Sequence, residues 1–95
     1  MIVGVLRIGL RLEGCRSLKE KRRIVRSLID RARRQSGASV SEVGDQNLWG
    51  NAEIGAALVS GSPGVAESAL ARVRQMFEES GVAAVTDVSY ETIRL

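Results

Sequence analysis

Residues 2–12 alternate with a period of two. Ile2, Leu6, Ile8, Leu10 and Leu12 fall on one side of an extended chain, with Gly4 between them; Val3, Val5, Arg7, Gly9 and Arg11 fall on the other. Successive side chains of a strand point to opposite faces, so this pattern predicts a strand with one buried face. A strand leaves its backbone donors and acceptors to be paired by neighbours. The rest of the chain therefore has to supply both the partners of this strand and the cover for its apolar side.

Glu13-Gly14-Cys15-Arg16 reads as a connection. Ser17 followed three residues later by Glu20 is a capping box, in which the Ser hydroxyl accepts from the backbone N–H of residue 20 and the Glu side chain reaches back. Leu18, Val25, Leu28, Ile29 and Ala32 then recur at helical spacing, with Ile24 beside them, up to about Gln35, where Ser36-Gly37 stops the helix. Residues 38–43 are mostly polar and alternate weakly; Gly44-Asp45-Gln46-Asn47 is a turn cluster. Ala52, Ile54, Ala56 and Leu58 alternate with Glu53, Gly55, Ala57 and Val59 in a second clear strand that ends near Ser60. Ser62-Pro63 places an N-cap before a proline at the first helical position. Val65, Ala66, Ala69, Leu70, Val73, Met76 and Phe77 form a helical stripe that Gly81 closes. Residues 82–94 read as a last strand whose alternation breaks near Asp87, predicting a bulge or a kink.

The order is strand, helix, strand, strand, helix, strand. For 95 residues it predicts a single α+β domain over 1–95, the ferredoxin-like βαββαβ arrangement: a four-stranded antiparallel sheet with two helices on one face. The two best-alternating strands are expected at the centre and the polar 38–43 segment at an edge. The single Cys excludes an intrachain disulfide. The first residues lack the charged lead of a signal peptide, and no run approaches the length of a membrane span, so a cytoplasmic protein is expected.

Charge is distributed unevenly. Residues 1–41 hold 11 Lys/Arg and 3 Asp/Glu, a net +8, whereas residues 42–95 hold 3 and 8, a net −5. Lys19, Arg22, Arg23, Arg26, Arg33 and Arg34 recur at spacings that put them on one broad side of the first helix, beside its apolar stripe, and Arg16 extends the patch. Such a strip suits a polyanion, which makes RNA or the ribosome the expected partner, contacted through phosphates rather than base edges. A solvated helix face has the same composition, since Arg favours helices. Base stacking on the sheet is not expected, because Trp49, Phe77 and Tyr90 are the only aromatic residues and none lies on the open face of the two central strands.

That open face carries Val3, Val5, Arg7, Ala57 and Val59. Contiguous apolar surface often marks association, so a homo-oligomer formed through this face is the alternative expectation, with Arg7 or Arg11 meeting Glu53. No paired acid and base and no metal-ligand spacing is present, and the chain lacks His, so no catalytic role, metal or cofactor is assigned and no small-molecule substrate is evident. Cys15 sits beside Arg16 just before a helix start but has no His to act as its base. Lys21 lies within the apolar arc; it reads as a snorkelling side chain, or as a cation reaching a carboxylate such as Glu13 or Asp45. Trp49 reads as the seal at one end of the core, or as a residue of a partner surface. Glu42, Asp45 and Glu53 are candidates to converge near the turn.

Ser17-Leu18-Lys19-Glu20-Lys21-Arg22-Arg23 resembles the signature of the YlxP-like family of bacterial proteins, whose function is unknown. Glu42-Val43-Gly44-Asp45-Gln46-Asn47-Leu48-Trp49 resembles the second recurring segment of that family. The likeness covers nearly the whole chain. The sequence departs from the family pattern at Asn47, where an acid is usual, and at Gly50-Asn51, where a more polar and often basic pair is expected. The resemblance implies a ferredoxin-like fold and a genomic setting beside translation-initiation and ribosome-maturation genes. It implies no established activity and no defined site residues.

Overall fold

The first alternating segment is strand β1 (Ile2–Leu12), and its Ile2, Leu6, Ile8, Leu10 and Leu12 are all buried in a computed structural model that describes residues 1–95. It is followed by α1 (Leu18–Ser36), β2 (Ser39–Gly44), β3 (Asn51–Ser60), α2 (Pro63–Glu78) and β4 (Ala83–Arg94). The strands form one antiparallel sheet in the order β2-β3-β1-β4. This is the ferredoxin-like βαββαβ architecture that the pattern predicts, with β1 and β3 central and β2 at an edge.

One face of the sheet carries the core. Leu6, Ile8 and Leu10 of β1 and Ala52, Ile54 and Ala56 of β3 meet Val25, Leu28, Ile29 and Ala32 of α1 and Leu70, Val73, Met76 and Phe77 of α2. No helix is long and apolar enough to cross a membrane.

Local chemistry sets the element ends. Ser17 is extended and its hydroxyl accepts from the Glu20 N–H at 3.1 Å, which is half of the predicted capping box. Gly37 closes α1 at φ 72°, its N–H donating to the Arg33 carbonyl. α2 starts at Pro63, but the Ser62 hydroxyl makes no cap bond, and the helix ends at Glu78, before Gly81.

The sheet contains two register shifts. The β1–β4 pairing skips Thr86 between Gly9 and Leu10, next to the predicted break at Asp87. The β2–β3 pairing skips Val43 between Glu42 and Gly44. β2 is also shielded as an edge. The Arg33 guanidinium donates to the Val40 carbonyl through Nε and Nη2 at 3.0 and 2.7 Å, and the Gln46 side-chain amide donates to the Glu42 carbonyl at 3.2 Å. Carbonyls occupied in this way are less available to an added strand.

Gly4 lies on the helix side of β1 directly beneath α2. A Cβ there would come within 2.9 Å of Leu70 Cδ1 and 3.2 Å of both Ala66 Cβ and the Tyr90 hydroxyl. Helix and sheet are thus packed too closely for a side chain. Gly4→Val is predicted to destabilise the protein by about 1–3 kcal/mol in urea unfolding. Gly50→Ala, at a site with nothing within 4 Å of the added atom, is predicted to stay within about 0.5 kcal/mol of the parent.

Candidate nucleic-acid interface

The basic strip follows from the geometry of α1. Val25, Leu28, Ile29, Ala32 and Lys21 are buried on the sheet side of the helix, so residues about a quarter to a half turn away face solvent. Lys19, Arg22, Arg23, Arg26 and Arg34 are all exposed, and together with Ser27 and Asp30 they line one shallow concavity of about 600 Å³. Asp30 is its single acid and no apolar residue borders it. Arg16 is exposed ahead of the helix and lies outside this concavity.

Arg33 is exposed but engaged differently from the others. Its guanidinium is held on the Val40 carbonyl, and its Nη1 lies 3.6 Å from the Asp30 carboxylate. The spacing that groups Arg33 with the strip cannot show that it bends toward β2 instead. What remains is a row of five cations with little internal neutralisation. At an exposed site such charges interact weakly with one another in salt, and they gain most from a partner that presents several anions together.

The orientation of α1 is fixed by a charge that the strip does not use. Lys21 is completely buried. Its ammonium donates to the Asp45 carbonyl and lies 3.0 Å from Glu42 Oε2, whose side chain is 17% exposed. The hydrogen bond is directed at the carbonyl, and Glu42 Oε2 meets Lys21 as a charge contact without another hydrogen-bond partner. Lys21 is therefore not a snorkelling side chain but a cation reaching a carboxylate, that of Glu42 rather than Glu13, and at Asp45 it meets the backbone. The register explains Glu42. It pairs with buried Ile54, so its side chain points under α1, whereas Glu53, one residue away in β3, points to the opposite face. Asp45 adopts φ 59°, which turns its carbonyl to accept from both Lys21 and the Leu48 N–H. Residues 17–23 and 42–49, on which the family resemblance rests, thus meet at this contact.

Other expected sites are placed differently. Trp49 is 50% exposed beside half-exposed Leu48 and takes no part in the core; the turn that Asp45 opens carries it outward. Of Glu42, Asp45 and Glu53, only the last two line a common hollow, together with Asp87, because the pleat sends Glu42 and Glu53 to opposite faces; no group of three suited to a metal ion forms. Cys15 is buried and its thiol lies 3.5 Å from the Ser17 carbonyl.

On the open face Val3, Val5 and Ala57 are partly exposed, Val59 is 64% exposed, and Arg7 pairs with Glu53 of the same chain at 3.4 Å. Ile93 and Val43 extend the apolar area. Ile93 is legible from its register opposite Val3, whereas Val43 reaches this face only through its bulge.

The sequence profile described as a protein of unknown function, DUF503, matches residues 3–90. The uncharacterized protein YlxP of Bacillus subtilis (strain 168) is 39% identical over 57 residues, 60% of this chain and 62% of that protein; the match thus spans under two thirds of the relative's length. Among solved structures, a Chloroflexus aurantiacus J-10-fl protein provisionally described as an antibiotic biosynthesis monooxygenase superposes with a TM-score of 0.61 at 13% identity, covering 99% of this chain and 94% of that one. A de novo designed protein, Foldit4, superposes with a TM-score of 0.58 at 15% identity, covering 99% and 97%. At these identities the likeness is one of fold and carries no activity across.

The buried ion pair makes a quantitative prediction. Lys21→Met leaves Glu42 as a largely buried carboxylate without its cation and is expected to cost about 3–5 kcal/mol in urea unfolding. Lys21→Met combined with Glu42→Leu removes both charges and is expected to recover most of that loss. Equal instability of single and double variants would contradict the pairing.

Proposed function

The chain belongs to the DUF503 family of proteins of unknown function, and we propose that its role is to bind structured RNA, ribosomal RNA included, by the phosphate backbone along α1. The observation that supports this most is the concavity in which Lys19, Arg22, Arg23, Arg26 and Arg34 stand with one acid and no apolar neighbour. Phosphates are the repeating anion that such a row matches, and Arg in particular offers paired donors to phosphate oxygens. A helix face with no apolar residue suits a hydrated polyanion better than a protein surface, whose interfaces bury apolar anchors.

The strip supports affinity without base readout. Its five cations are exposed side chains, and none of them is held by a buried partner in a fixed direction. Phosphate contacts of this kind set position and charge neutralisation and carry no sequence information. The function is therefore that of an accessory protein directed to an RNA by its shape and charge density, acting as a binding module rather than through bond chemistry.

The test is binding of purified protein to total RNA and to ribosomal subunits across a salt series. If four or five phosphates are engaged, log K is expected to fall against log salt with a slope of roughly −4. Arg22→Glu with Arg26→Glu is expected to weaken binding at least about tenfold and to make the slope shallower. Binding left unchanged by the double variant would overturn this assignment of the surface.

A further inference from the structure

The sheet face opposite the helices is uncovered, and its side chains are complementary to themselves. Because the order is β2-β3-β1-β4, the midline of the sheet runs between β3 and β1. Their registered open-face pairs are Val3 with Val59, Val5 with Ala57, Arg7 with Gly55 and Gly9 with Glu53. A large side chain stands beside a small one in three of these four rows. The cations sit on β1, at Arg7 and Arg11, and the acids on β3 and β4, at Glu53 and at Asp87 and Glu91, which are registered with Gly9 and Val5.

A two-fold axis along that midline exchanges β1 and β3. It lays Val3 over Val59 of a second copy, Val5 over Ala57, Arg7 over Gly55, and Glu53 over Gly9. Arg7 then faces Gly55, the apolar rows face apolar rows, and the cationic strand faces the strand bearing Glu53, which itself comes over Gly9 beside the Asp87 and Thr86 side chains. Sheets packed face to face keep their strands nearly aligned, as this operation does. An isologous interface brings one patch against itself, so a single-signed patch repels its own copy. The α1 strip fails that requirement and this face meets it.

The size is also adequate. Four strands at a spacing of about 4.8 Å and some ten residues at about 3.3 Å give a footprint of roughly 600 Å² per copy. Two such faces bury on the order of 1,200 Å², the lower bound of specific interfaces.

We propose that the open sheet face is a docking surface for a second copy of this chain, giving a two-fold dimer with the α1 strips on its outer sides. The inference does not rest on RNA binding, and its test contains no nucleic acid. Sedimentation equilibrium at about 100 µM protein should return twice the 10.2 kDa chain mass. Val59→Asp, at a position too exposed to unfold the monomer, and Val5→Asp, at the centre of the apolar rows, should each raise the dissociation constant at least about tenfold. Arg26→Glu on α1 should leave the dimer intact. A parent chain that sediments at the single-chain mass overturns the proposal and frees the face for a different partner. A dimer that survives both valine substitutions, with circular dichroism unchanged, overturns it as well.

Discussion

The placement of α1 depends on a cation that never reaches solvent. Removing an ammonium from water costs several kcal/mol unless its partners are close and well placed. Lys21 meets that condition with the Glu42 carboxylate and the Asp45 carbonyl. These groups belong to the far end of β2 and to the turn after it, so the contact ties the first turn of the helix to the end of the edge strand. At the other end of α1, Arg33 grips the Val40 carbonyl. With both ends of the helix fixed to β2, the row from Lys19 to Arg34 is presented outward along the side of the domain. The strip is thus a consequence of how two of its neighbours, Lys21 and Arg33, are used structurally.

The fold separates two surfaces of different character. The α1 side is cationic and hydrated, and the open sheet is near neutral with mixed signs and apolar rows at one end. One layer of buried side chains divides them, so a change on either surface need not disturb the other. The solved structures of similar shape include a designed protein, which shows that this arrangement of strands and helices is a packing solution in its own right. Function is carried by what is displayed on it.

Much of this was legible in the sequence because both periods are clean. The alternation of residues 2–12 and 52–59, the Ser17 cap, Pro63 and the stripe from Ala66 to Phe77 each point to one local structure, and the sheet order follows from connecting them compactly. The break near Asp87 marks the bulge at Thr86. The buried ion pair was not legible. Helical spacing puts Lys21 among apolar residues but cannot name its partner, since Glu42 lies in a weakly patterned strand and is aimed inward by a pairing known only from the sheet. Trp49 misleads for a related reason: a large aromatic suggests core, yet Asp45 at positive φ turns the chain away from it. The strip itself was readable except at Arg33, whose fate depends on how close β2 runs.

If the protein binds RNA as proposed, its working surface is the solvent side of α1, held in place by Lys21. The most direct measurement is an NMR titration of isotope-labelled protein with a short RNA duplex at low salt. Binding along α1 should concentrate chemical-shift changes on the Lys19, Arg22, Arg23, Arg26 and Arg34 side chains and on the amides around them, with Val5, Gly55 and Ala57 of the open sheet unaffected. Changes centred on the sheet face, or a spectrum unmoved by RNA, would contradict it.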